Sequence, residues 1–171
     1  MIGPELRGRR IARGAAIGVV VALVTLEIAH LGLGFLTGSL ADQGGVIDVI
    51  YVITLPLVTA GFAVVGWAIV TRQPRNTIGW LLLAIPLVAS VAFFVGDYAT
   101  EALARNPGSL PFGRFAAWID RWMIIPTLVL FIPFFLLFPD GRIPSRRWRP
   151  VLWLTIAGPT VAIVAFALTP G

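Results

Sequence analysis

Five apolar runs divide this chain, and their length decides what it can fold into. They cover about residues 15–36, 46–70, 78–95, 115–138 and 151–168. About 20 helical residues at a rise of 1.5 Å cover a hydrocarbon core of about 30 Å. Helices are the natural solution, because every backbone N–H and C=O must find a partner inside the segment. Apolar residues make up 58% of the sequence and charged ones 12%. A soluble domain is about one-quarter charged, so such a chain in water would expose large apolar patches. The expected fold class is therefore all-α, a polytopic membrane protein of about five transmembrane helices.

The segments between the runs set the orientation. Leu136 to Pro150, LLFPDGRIPSRRWRP, stops one apolar run at a Pro-Asp-Gly turn and gathers Arg142, Arg146, Arg147 and Arg149 before the next. A basic leader, residues 1–14, carries Arg7, Arg9, Arg10 and Arg13, and the turn after the second run carries Arg72 and Arg75. The opposite segments hold Arg105 and Arg114, with Arg121 just inside the fourth run. The positive-inside rule then places the N-terminus and these arginine clusters in the cytoplasm and the C-terminus outside. Trp67, Trp80, Trp148 and Trp153 fall at the inner interface, and Trp118 and Trp122 at the outer one, as amphipathic anchors do. A cleaved signal peptide is the competing reading of the first run; its length and the want of a clear cleavage site favour an anchor.

All thirteen basic residues are arginine and sit in a few clusters. That pattern marks membrane topology and not a nucleic-acid surface. Its partners are the bilayer and anionic lipid headgroups, each arginine near the surface contributing about 1 kcal/mol. Gly14 with Gly18, and Gly34 with Gly38, have the spacing that lets helices approach closely, inside the chain or in a homodimer. Turn residues match the boundaries. Phe138-Pro139-Asp140-Gly141 suits a type I turn, Asn76 or Thr77 a helix N-cap, and Ser145 the cap of a short turn. Asp48 suits a helix N-terminus, and Tyr98 to Arg105 a short interfacial helix. Pro56, Pro86, Pro126, Pro133 and Pro159 lie within runs and mark kinks that neighbouring helices make tolerable.

Few residues can carry chemistry. Glu27 and His30 lie three apart, on one face of the first helix and well inside its apolar run. Ionisable groups at that depth are costly and look into protein or a wet cavity. The pair reads either as a proton or ligand sensor, or as a structural pair bonded to each other or to a neighbouring helix's backbone. Asp97, Asp120 and Arg121, with Glu101 opposite, form an outer polar group that reads as interfacial anchors or as a recognition surface. With one histidine and no cysteine to complete a tetrahedral set, no metal site is expected, and a bis-histidine haem is excluded for one chain. No cofactor is expected. Gly32-Leu33-Gly34 is no nucleotide loop, since no strand precedes it.

Arg75-Asn76-Thr77-Ile78-Gly79-Trp80-Leu81-Leu82, followed about sixty residues on by LLFPDGRIPSRRWRP, resembles the N-terminal multi-span membrane region of sensor histidine kinases of actinobacteria and related bacteria. The match covers the chain from Thr71 onward. It implies a sensory or anchoring role in a two-component system of the bacterial cytoplasmic membrane. The kinase region usual in that family, with its phosphoacceptor histidine and ATP-binding glycine box, has no counterpart here. The expectation is thus a non-catalytic module, not an enzyme. The chain stops after an outward-going helix, so a cytoplasmic domain attached there would need a sixth span. An accessory subunit of a larger membrane complex is the alternative. A small transporter fits least, because no two halves match and polar lining is sparse.

Overall fold

In the computed structural model of the protein, residues 4–38, 46–139, 141, 143 and 145–168 are described, without the side chains of 4, 5, 46–51 and 156. Arg142, Asp140 of the 138–141 turn, the side chain of Asp48 and residues 169–171 thus lie outside the described residues. The described chain is all helical. It forms α1 (Pro4–Leu36), α2 (Val46–Arg72), α3 (Thr77–Thr100), α4 (Gly113–Leu137) and α5 (Arg149–Leu168). A π-helical turn, Glu101–Arg105, continues α3, and a 3-10 turn, Arg146–Trp148, leads into α5. All five helices are long and apolar enough to cross a membrane, which makes this a multi-pass membrane protein.

The helices run up and down, and α3 is central. It packs against α1, α2 and α4, while α5 leans on α4 alone. Two small apolar clusters hold the arrangement. In one, Ala16 and Leu23 of α1 meet Ala63 and Val70 of α2 and Leu83 of α3. In the other, Ile78 and Leu82 of α3 meet Leu137 of α4, with Phe62, Phe134 and Ile143 packed around them. The outward faces are exposed apolar side chains such as Val21, Ile28, Val64 and Leu154, as a lipid-facing surface requires.

The helices differ from the expected runs in three places. The basic leader is helix: α1 begins at Pro4, so 33 residues extend for about 50 Å and carry Arg7, Arg9, Arg10 and Arg13, all exposed, beyond the apolar stretch. The third helix passes its expected end at 95 and absorbs the segment assigned to a separate interfacial helix. Tyr98 donates through its hydroxyl to the Pro111 carbonyl at 2.8 Å and ties that extension to the following loop. Finally, the 138–141 turn closes differently from a type I turn. The Gly141 N–H bonds the Leu137 carbonyl at 2.7 Å, one residue earlier than expected, with Gly141 at φ +69° and the Phe138–Pro139 peptide cis.

Small residues bring α2 and α3 together at positions that the spacing did not pick out. A Cβ on Gly14, Gly18 or Gly38 would meet nothing within 4 Å. One close approach is between α2 and α3. A Cβ on Gly66 would stand 2.9 Å from the Gly79 carbonyl oxygen, and one on Gly79 2.8 Å from Ile69 Cγ2. The partner helix's backbone and side chains come this close because neither glycine carries a Cβ.

Candidate functional site

Glu27 lies on the face of α1 turned toward α2 and α3. Thr59 of α2 and Ser90 of α3 are both buried, each 4% exposed. The Ser90 hydroxyl donates to Glu27 Oε1 at 2.6 Å, and the Thr59 hydroxyl lies 3.2 Å from the same oxygen. Thr59 Oγ1 is also 3.0 Å from the carbonyl oxygen of Pro56 on its own helix. The second carboxyl oxygen, Glu27 Oε2, is buried without a hydrogen-bond partner. Three helices therefore converge on one carboxyl group inside the apolar spans.

One turn further along α1, His30 Nε2 pairs with Asp97 Oδ2 of α3 at 2.5 Å. The Asp97 side chain is 60% exposed and that of His30 25%, so the cluster opens at the end of the bundle away from the arginine-rich turns. Glu27 and His30 thus share a face, as their spacing requires, but they are bonded neither to each other nor to a neighbouring backbone. Each reaches a side chain on another helix. The sequence could not name Thr59, Ser90 or the His30–Asp97 pairing in advance. Hydroxyls within apolar helices often bond their own preceding turn, as Thr25 does to Val21 and Thr71 to Trp67.

The outer polar group is divided. Asp97 belongs to His30. Asp120 of α4 lies over Gly96, where a Cβ would come within 2.8 Å of Oδ1. It forms no ion pair with the adjacent, exposed Arg121. Glu101 is 3% exposed within the π-helical turn. Its Oε1 accepts from Asn106 Nδ2 at 2.5 Å, and its Oε2 has no partner.

At the arginine-rich end, the two sequence motifs meet. Asn76 caps α3, its side chain accepting from the Ile78 N–H at 2.9 Å, and Trp80 Nε1 donates to the Pro74 carbonyl at 2.9 Å. Gly141 packs on this turn: a Cβ there would lie 3.4 Å from Asn76 Oδ1. Ser145 precedes the 3-10 turn without the expected side-chain cap. Arg72, Gln73 and Asn76 rim an apolar groove of about 520 Å³ between α2, α3 and Phe138-Pro139. Arg75, Arg146, Arg147 and Arg149 are exposed. Trp80 and Trp67 lie on this end of the bundle, whereas Trp118 donates to the Ala167 carbonyl at the other, at 3.0 Å. Among the described residues, no three His, Asp or Glu side chains are placed to hold a metal ion. No family model matches this chain, and neither a curated protein nor a solved structure does.

Proposed function

We propose that this chain is a non-catalytic sensory and anchoring module of a bacterial cytoplasmic membrane, related to the input region of sensor histidine kinases. The observation that carries the reading is Glu27. An ionisable group within an apolar span is costly, and here its bonds run only to helices other than its own. A bundle held partly by one titratable group has a packing that an outside change can bias, which is what an input region needs. The arginine distribution supports an N-terminus inside, a C-terminus outside and anionic headgroups at Arg72, Arg75, Arg142, Arg146, Arg147 and Arg149. Packing of Gly141 on the Asn76 turn supports the resemblance, since its two motifs, distant in sequence, build one feature.

The test is functional replacement. Leucine at both Glu27 and His30 is expected to abolish the response of any kinase output coupled to this region while the protein still inserts. A fully responsive and more stable double variant would remove the pair from the mechanism. Purified chain incubated with labelled ATP is expected to incorporate none, because phosphotransfer needs a soluble fold to position nucleotide, metal and acceptor. A second reading, an accessory subunit of a larger membrane complex, is favoured by α5, which packs on α4 alone. Cross-linking from α5 in native membranes to a respiratory or other complex would select it.

A further inference from the structure

At the arginine-rich end, α2 and α4 stand apart over α3. Both pack on α3 and not, backbone to backbone, on each other. Phe62 of α2 reaches Phe131 of α4 edge to face, with ring centroids 6.5 Å apart. About one turn nearer the end, the gap opens into the groove of about 520 Å³. Val65, Ala68 and Ile69 of α2 form one wall, Leu82 of α3 the floor, and Phe138 with Pro139 the other wall. From Val64 to Arg72 the groove follows α2 for about 12 Å. That is most of the depth of one leaflet, which is half of a hydrocarbon core of about 30 Å.

The mouth of the groove carries hydrogen-bond donors. Arg72 is exposed and has no ion pair among the described residues. Asn76 is already engaged: its Oδ1 accepts from the Ile78 N–H, and its Nδ2 donates to Gln73 Oε1 at 3.1 Å. Gln73 therefore presents the hydrogens of its Nε2. The free side-chain groups at the mouth are thus donors, and an arginine fork fits phosphate oxygens two at a time. We infer that the groove binds one anionic phospholipid, its phosphate on Arg72 and Gln73 and one acyl chain lying along α2. Arginines at a membrane surface attract anionic lipids in any case. The groove adds walls on both sides of the chain, and so a fixed place and a count of one. A second copy of the protein is the poorer occupant, because a two-fold contact here would set its Arg72 against this one. The site rests on the arginine-rich end lying at the membrane surface and not on the sensory reading.

The experiment is native mass spectrometry of the full chain, released from micelles to which phosphatidylglycerol or phosphatidylcholine has been added. Wild-type protein is expected to retain one phosphatidylglycerol per chain, several-fold more than phosphatidylcholine at equal concentration. Arg72→Gln should lower that retention several-fold. Arg75→Gln, on the same turn but outside the groove lining, should change it little. Ala68→Phe, which fills the groove and keeps Arg72, should lower it as well. Because that variant can also disturb packing, wild-type protein in vesicles is cross-linked to phosphatidylglycerol with a photoreactive acyl chain. Adducts should gather on residues 64–69 and 138–139 and not on the exposed Val21 and Ile28 of α1. Equal retention of the two lipids, or adducts spread evenly over the outward helix faces, overturns the site. A loss in Arg75→Gln as large as that in Arg72→Gln overturns it in favour of diffuse attraction. A lipid-free dimer joined through residues 64–69 overturns it in favour of a second copy. One retained lipid with the mapped adducts, beside an unresponsive kinase output, would sink the sensory reading and leave the lipid site standing.

Discussion

Gly141 rests against Asn76. The glycine that ends the Phe138–Gly141 turn has φ +69°, and a Cβ on it would stand 3.4 Å from Asn76 Oδ1 and 3.6 Å from the Thr77 nitrogen. Asn76 meanwhile caps α3 through the same oxygen. The arginine-rich loop after α4 is thereby held on the first turn of α3, and the basic residues of both turns are gathered at one end of the bundle. Replacing Asn76 with alanine removes the acceptor for the Ile78 N–H and is expected to cost about 1 kcal/mol, the usual loss for an N-cap. Asn76→Asp, which retains the oxygen, should lose much less. Unfolding in mixed micelles, compared for the two variants, checks this. Equal losses would mean that the cap is not the source of the stability.

The Gly66–Gly79 crossing gives a sharper expectation. Alanine at either position places a methyl group 2.8 to 3.0 Å from its neighbours and forces α2 and α3 apart, at a cost of about 1–3 kcal/mol. Gly14→Ala and Gly18→Ala have open space and should be neutral or slightly stabilising, since alanine favours helix. The same unfolding assay separates the two pairs. Loss at Gly14 or Gly18 without loss at Gly66 would point to a helix contact between copies of the chain and against the α2–α3 approach.

Orientation has its own test. Single cysteines at Gln73, Ser145 and Ser109 would be probed with an impermeant thiol reagent on intact cells. Labelling is expected at Ser109 alone, with Gln73 and Ser145 reached only after lysis. Labelling at Ser145 and protection at Ser109 would invert the arrangement that the arginines support.

The helices were legible in the sequence because an apolar run of about 20 residues has one low-cost solvent and one low-cost backbone form. Arginine-rich ends were less clear. Arg7 to Arg13 are good helix formers that also suit a loop, and only the structure shows that α1 starts at Pro4. Glu27 and His30 stood out because ionised groups are rare in such runs, and their shared face follows from spacing alone. Their partners did not stand out. Thr59 and Ser90 look the same in sequence as Thr25 and Thr71, which bond their own helices. Glycine spacing drew attention to Gly14 and Gly18, whereas Gly66 and Gly79 lie on different helices and share no pattern. Their meeting depends on a crossing point that tertiary packing alone sets.

That Glu27 ties α1 to α3 inside the membrane is tested most directly by a double-mutant cycle. Stability in bicelles would be measured for wild type, Glu27→Leu, Ser90→Ala and the double variant. Hydrogen bonds between membrane helices are worth about 0.6 kcal/mol on average and up to about 1.7. A contact of 2.6 Å to a carboxyl group within the apolar spans is expected in the upper half of that range. The two single losses should therefore exceed the double loss by about 1 kcal/mol. Additive losses, with no coupling between the two positions, would contradict the account.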